Sequence, residues 1–443
     1  MIAVRVAQTS RGLMFAQGRS RYPLQWPAGM WGKMPAAFRD VLADNLAHLL
    51  TIDVPLVAQK HGVHLNRPRP CFWSQFRTME LGGIPQALEI YRECTTHALE
   101  RFRAMRYEFA GDVPRMPPRD PWPSKPRVVV AFSSGKDSLA TLGLAREMGL
   151  DPIPVYIDDT VSPSENLIKR RHLRRLADMG YPAQLVVNRV ERLNDFERWG
   201  KGETCLGYLH LLTSFALIAL PIAHAFRARY IAVGCEQDMN FTFANKDGFL
   251  TNPSFDQTSG WVMQMDMMTR ALSGGAVRTM SLIEPLTGFA VSKLLAERYP
   301  ELARLQVSCD RLDASDEPRW CGACPTCAQT SMALRALGRD PVDVGLPRPM
   351  ISERDARYYN VFDGAATDQD ERTRESKEQQ ELAFYLAIER GLTGPLVKRF
   401  RARFRGGSRR DELAAKYLAL YPPGTVPAEL RSRLLAVLRD AMK

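Results

Sequence analysis

The stretch "RVVVAFSSGKDSLAT", residues 127 to 141, constrains this chain more than any other. Four apolar residues in "RVVVA" read as a buried strand, and the Ser/Gly-rich turn that follows runs directly into a helical pattern. Small residues at 133 to 135 let backbone N–H groups close on an anion, and the helix beyond adds its positive dipole end. Lys136 is placed to neutralise phosphate oxygens, and Ser138 to donate a further bond. A Walker loop is excluded, because Asp137 follows Gly135-Lys136 and no earlier glycine is in register. A Gly-x-Gly-x-x-Gly dinucleotide fingerprint is absent too.

After this turn the pattern alternates. The spacing predicts a helix over 137–148, a strand at "PIPVYID", a helix over 164–179, a strand at "AQLVVN", a helix over 207–226 and a strand at "YIAVG". Such alternation implies an α/β, Rossmann-like parallel sheet with helices on both faces. Ligands of these sheets bind at the carboxyl ends of the strands, where the opening loop, Asp158 and Gly234 all fall.

The flanks read differently. Residues 1–114 carry helical periodicity at 36–51 and 85–107 and are expected to form a partly helical N-terminal extension. The segment 115–126, within the five-proline run "RMPPRDPWPSKPR", reads as an extended linker. A main domain at 127–308 follows, then a cysteine segment at 309–340 and a helical, basic C-terminal extension at 341–443. Around 363–381 the sequence is polar enough to predict an exposed connector or a solvated helix start.

Charge sharpens this division. Residues 391–443 hold twelve Lys or Arg against four Asp or Glu, so most of the chain's net +11 lies there. The densest run, 398–410, is either a solvated face or a patch for an acidic partner. No uninterrupted apolar run reaches the ~18 residues of a membrane span, and "TSFALIALPIAHAF" is broken by Pro221 and His224. The N-terminus lacks a basic flank with an apolar run of signal-peptide length. A cytoplasmic location without membrane partners is the expectation, with the eight cysteines reduced or metal-bound.

Cys309, Cys321, Cys324 and Cys327 stand as Cys-x11-Cys-x2-Cys-x2-Cys. Two-residue gaps turn neighbouring sulfurs toward one ion, and four thiolates with no open position describe a structural zinc. An iron–sulfur cluster and unligated core cysteines are the alternatives. Cys71, Cys94, Cys205 and Cys235 are scattered and expected to be ordinary buried residues.

The phosphate loop resembles the Ser-Gly-Gly-x-Asp-Ser signature of the PP-loop (HUP-type) ATP-pyrophosphatases, with Ser134 in place of a glycine. If the backbone there needs positive φ, Ser134 would be strained. The resemblance implies that Ser133, Ser134, Gly135, Lys136, Asp137 and Ser138 take the pyrophosphate of ATP with its Mg²⁺, and that Asp158 lies at the nucleotide. Together with "WCGACPTCAQTSMALRALG", the loop makes residues 127–340 similar to the 7-cyano-7-deazaguanine synthase (QueC) family. The similarity implies a substrate acid, 7-carboxy-7-deazaguanine, activated as its adenylate. It also implies base contacts from Gly234, Glu236 and Asp238 in "AVGCEQDMN" and Asp256 in "NPSFDQTSGW", and a catalytic Lys293 in "IEPLTGFAVSK" beside Lys136, Asp137 and Ser138. The family's Pro-Gly-Arg-Asn segment is replaced by "KGETCLGYLH".

The long flanks look like those of divergent relatives in bacterial antiviral systems of the Qat and type IV CBASS kinds. That resemblance implies attachment of the deazaguanine to a protein amine, with ammonia-dependent nitrile synthesis as the rival. A tRNA-modifying PP-loop enzyme and a catalytically inactive scaffold are the readings from other classes. A second copy of the chain is a candidate partner.

Overall fold

A computed structural model describes residues 1–160, 163–309, 319–364, 372–404 and 409–443. Parts of the sequence-predicted cysteine segment, polar connector and basic run (310–318, 365–371 and 405–408) lie outside the described residues.

The strand expected at the phosphate loop is Lys125–Ala131, whose Val128, Val129 and Val130 are fully buried. An apolar run without alternation suits a strand covered on both faces. In chain order the strands are β1 (Ile2–Thr9), β2 (Gly12–Gln17), β3 (Ser20–Gln25), β4 (Gly62–Pro68), β5 (Arg106–Gly111), β6 (Lys125–Ala131), β7 (Asp151–Asp158), β8 (Gln184–Asn188), β9 (Ala228–Ala232), β10 (Phe243–Ala244), β11 (Leu250–Thr251) and β12 (Arg278–Met280). Ten of them form one sheet in the order β12-β9-β6-β7-β8-β3-β2-β1-β4-β5, and β10 and β11 form a separate ribbon. Neighbours from β12 to β8 are all parallel. Read from β8, this half is ordered 3-2-1-4-5 among its own strands, the doubly wound arrangement, so the order reverses between β6 and β9.

The N-terminal region is partly helical, as its periodicity implies, but its strands went unread. It supplies five strands, and β3 pairs antiparallel with β8 so that both halves share one sheet. The signal lies in "IAVRVA", where Ile2, Val4 and Val6 alternate buried with exposed neighbours. The helix predicted over 36–51 forms as Ala36–Leu49. The one predicted over 85–107 is two helices, Trp73–Ala87 and Thr95–Ala104, and Pro85 sits at the end of the first, not in a first turn. The proline-rich stretch is anchored, because Trp122 is buried edge-on against Phe38 and His224.

The helix Lys136–Glu147 ends in a Schellman turn: Gly149 takes φ 66°, its N–H reaches Arg146 O, and Leu150 N–H reaches Ala145 O. The apolar stretch Leu206–Phe226 is long enough for a membrane span, but it is mostly buried within the fold and divides at Ala219 into Leu211–Ile218 and Leu220–Phe226, with Pro221 in the first turn of the second. The C-terminal region is likewise built in. Leu430, Leu434 and Leu438 of helix Ala428–Ala441 join the core around Val128 and Leu139, and helix Arg374–Glu389 joins the core around Cys309, Cys324 and Cys327. Its first turn exposes Arg374 and Lys377, as a solvated start would, but Glu378, Gln379, Gln380 and Glu381 are all buried.

Candidate functional site at the strand-order reversal

The loops leaving β6 and β9 meet where the strand order reverses. Gly234, two residues past β9, lies so close to the loop after β6 that a Cβ there would come within 2.9 Å of Asp137 Cβ. From the β6 side, Gly135 begins the helix Lys136–Glu147 without any side-chain cap, which leaves its first N–H groups for another acceptor. Ser138 Oγ donates to Gly135 O at 3.0 Å and Ser133 Oγ to Ser138 Oγ at 3.4 Å, so the hydroxyls shape the turn itself.

Ser134 adopts φ 64°, the left-handed conformation that a glycine takes without cost, at a penalty on the order of 1 kcal/mol for serine. Its fully buried hydroxyl donates to Leu305 O at 2.8 Å and accepts from His172 Nδ1 at 2.7 Å. Its carbonyl accepts the Val307 N–H at 2.9 Å. The side chain therefore offsets the backbone strain by pinning the loop to the segment that leads to Cys309. Burial, with Arg319, Arg175 and Arg171 nearby, pushes His172 down to about 3, so its imidazole is neutral.

Lys136 Nζ reaches Glu236 Oε2 at 2.6 Å and Asp137 Oδ1 at 2.7 Å. Burial disfavours its charge, yet the two carboxylates outweigh that and hold Lys136 well above the ordinary lysine value. Glu236 is raised by burial against the pull of Lys136, and Asp238 is raised by burial against hydrogen bonds from Gly288 N–H and Gln379. Gly288 N donates to Asp238 Oδ2 at 2.7 Å and Gln379 Nε2 to the same oxygen at 2.9 Å. Asp238 Oδ1 is buried without a partner among the described residues. A Cβ on Gly288 would stand 2.9 Å from Glu236 Oε1 and 3.1 Å from Asp238 Oδ2, so a side chain there would crowd both acids at the start of the helix Gly288–Arg298.

These groups line a pocket of about 320 Å³. Its other walls are the helix Pro325–Ala336, through Thr326, Gln329 and Thr330, and the helix Arg374–Glu389, through Ser376 and Gln379. The cysteine segment and the C-terminal region thus both border the site. Gln379 was missed by sequence reasoning because a buried polar helix face looks like a solvated one. Its amide is fixed in orientation, with Oε1 accepting from Phe289 N at 2.8 Å while Nε2 serves Asp238.

Cys309, Cys321, Cys324 and Cys327 bring their sulfurs within 4.8 Å of one another, a set that can hold a metal ion such as zinc. Sγ separations of 3.9 Å for Cys309–Cys324 and 3.8 Å for Cys321–Cys327 match the edge of about 3.8 Å implied by four ~2.3 Å Zn–S bonds in a tetrahedron. The N–H groups of Cys321, Ala323 and Cys327 point at Cys309, Cys321 and Cys324 sulfurs, as suits thiolates. Of the scattered cysteines, Cys235 is buried, Cys71 and Cys205 are half-buried, and Cys94 is exposed, contrary to expectation.

Three expected site residues lie elsewhere. Lys293 is held outside the pocket by Glu297 of its own helix (2.6 Å) and by Ala441 O of the C-terminal helix (3.1 Å). Asp256 points inward, accepting from Leu212 N–H at 3.2 Å and Ser254 Oγ at 3.1 Å at the start of helix Leu211–Ile218; burial raises it to about 6. Asp158, at the end of β7, is buried and paired with Arg170 and, at 3.2 Å, with Arg189. Within the basic run, Arg399, Arg403, Arg409 and Arg410 pair with acids of the same chain.

No family model matches the chain, and no curated protein is similar to it.

Proposed function

We propose that this pocket binds ATP with Mg²⁺ and adenylates a carboxylic acid, 7-carboxy-7-deazaguanine, as the resemblance to the 7-cyano-7-deazaguanine synthase family implies. The observation that carries the reading is the placement of an uncapped helix N-terminus, Lys136 and the carboxylates of Asp137, Glu236 and Asp238 in one pocket at the reversal of strand order. The helix end and Lys136 suit the pyrophosphate half of ATP. Asp137 and Glu236 supply the hard oxygen ligands that a phosphate-bound Mg²⁺ takes. The unpartnered Asp238 Oδ1 suits an N–H of the guanine-like ring.

In this reaction a carboxylate oxygen attacks the α-phosphorus, the bond to the β-phosphate oxygen breaks, and pyrophosphate leaves with its Mg²⁺. An amine then attacks the carboxyl carbon, and AMP leaves carrying that oxygen. The amine proton passes to solvent or to a pocket carboxylate. Lys136 stabilises charge on the transferring phosphoryl group. With a protein amine the product is a secondary amide, and the chemistry stops there. With ammonia a second adenylation of the primary amide gives the nitrile.

We assign the protein-amine reaction, in an antiviral setting and in the cytoplasm, because the C-terminal region supplies a wall of the pocket as well as covering the core. The four cysteines hold zinc in this reading. It brings no step and braces the helix Pro325–Ala336 against the pocket. A second subunit and an acidic partner for 398–410 remain parts of the same proposal, the latter limited by the internal ion pairs of that run.

The test is mass spectrometry of the chain with ATP, Mg²⁺ and the acid, with ammonium or with the proteins encoded beside it. The expected result is AMP release and a partner protein heavier by one acylated deazaguanine. Conversion to the nitrile with ammonium alone would replace ligation by nitrile synthesis.

A further inference from the structure

A second group of metal-ligating side chains lies away from the pocket, in the core between the N-terminal region and the sheet. Asp53, Glu80 and His210 bring one ligand atom each within 4.8 Å of the others. All three residues are fully buried. They come from separate parts of the chain: Asp53 opens the helix Val54–Val57, Glu80 lies inside Trp73–Ala87, and His210 directly precedes Leu211–Ile218.

Two features distinguish this group from a chance cluster of acids. The first is what the carboxylates lack. The Glu80 and Asp53 carboxyls face each other, and among the described residues no N–H of another residue donates to either oxygen of Glu80 or to Asp53 Oδ1 and no Lys or Arg pairs with either side chain. A buried carboxylate oxygen without a donor or counter-ion costs several kcal/mol. The second is how His210 is held. Its Nε2 faces the Glu191 carboxylate at 3.3 Å, and the amides of Asn188 and Asn194 fix that carboxylate at 3.0 and 3.1 Å. The ring is thereby oriented with Nδ1 toward Asp53 Oδ2, 3.1 Å away. A carboxylate gripping the far nitrogen of an imidazole is the support that metal-ligating histidines regularly have.

Asp256 adds a fourth carboxylate near the group, satisfied by Leu212 N–H and Ser254 Oγ. One proton shared between Glu80 and Asp53 Oδ1 would serve that pair of oxygens, and with Asp53 Oδ2 held by His210 it would still leave one Glu80 oxygen without a donor. A divalent cation would engage Asp53, both oxygens of Glu80 and the Nδ1 lone pair together.

We infer that Asp53, Glu80 and His210 bind a structural divalent transition-metal ion, of the zinc and manganese class that accepts mixed imidazole and carboxylate ligands, fastening the N-terminal region to the central sheet. The ion displaces the Nδ1 proton to solvent, and Glu191 keeps the Nε2 proton.

Metal analysis of the full-length chain tests this after dialysis against metal-free buffer. Wild type is expected to retain two equivalents, one at the four cysteines and one here. Glu80→Gln and His210→Gln are expected to retain one. Loading wild type with Mn²⁺ gives a readout that needs no variant, because pulsed electron paramagnetic resonance detects an imidazole nitrogen coupled to the bound ion. The pocket lining contains no histidine, so Mn²⁺ held there would lack that coupling. A single equivalent in wild type, with no nitrogen-coupled Mn²⁺, would overturn the inference. So would a more stable Glu80→Gln with unchanged metal content, which marks a shared proton.

Discussion

The chain holds two groups of acids that differ in one respect. Around the pocket, Asp137, Glu236 and Asp238 stand beside Lys136, two glycines at close approach and an open face. In the core, Asp53, Glu80 and Glu191 stand around His210, closed to solvent. The first group can exchange partners, since a phosphate can take Lys136 from its carboxylates. The second cannot exchange without opening the core. Open acids suit a substrate, and closed acids suit a permanent ion or proton.

The comparison breaks first at the closed group. His210→Ala is expected to lower stability by about 3–5 kcal/mol, since it strands buried carboxylates. Chemical denaturation measures this, and a loss under 1 kcal/mol would mean that these acids need no cation.

Lys136→Ala is expected to behave oppositely, losing about 10²–10³-fold in AMP formation while keeping its melting temperature. Equal loss of folding in the two variants would erase the distinction between the groups.

Gln379→Ala sharpens the account of the pocket by removing one of the two N–H donors to Asp238 Oδ2. The expected cost is about 1.5–3 kcal/mol in kcat/KM for the acid. ATP affinity should stay unchanged, which steady-state kinetics with each substrate varied can resolve.

A smaller effect follows from acid. Burial works against the charge of Glu378, but Lys416, Tyr417, Arg374 and Arg409 pull it down to about 2 from the ordinary 4.5. Its folded value is depressed, so its stabilisation is complete above pH 4.5 and is lost as pH falls toward 2. Glu378→Gln should flatten the acid limb of the stability profile by lowering stability at neutral pH while leaving it nearly unchanged near pH 2.

The legible parts of this chain were those whose chemistry sits on regular local pattern. Val128 to Val130 announced a buried parallel strand, and the short gaps between Cys321, Cys324 and Cys327 announced a sulfur cluster able to hold one ion. Ser134 was legible as a strain, and its φ of 64° bears that out, whereas the bonds to His172 and Leu305 that hold it depend on residues far along the chain. Illegible parts were those where tertiary contacts reverse the usual meaning of a residue type. Gln379 and Glu378 are polar yet buried, so the start of their helix looked solvated. Asp256 and Lys293 matched positions by motif alone, and each is taken up by a helix end or a neighbouring helix instead. The strand Ile2–Thr9 was overlooked for a different reason: its alternation spans few residues, and its partners β2 and β4 are needed to make sense of it.

The central claim is that the pocket transfers AMP to a carboxylate oxygen. It is tested most directly by supplying 7-carboxy-7-deazaguanine with ¹⁸O in its carboxylate and weighing the AMP released. The account predicts AMP carrying one ¹⁸O, formed only with the acid present and lost in Lys136→Ala. Unlabelled AMP, or no AMP at all from the acid, ATP, Mg²⁺ and an amine, would contradict it.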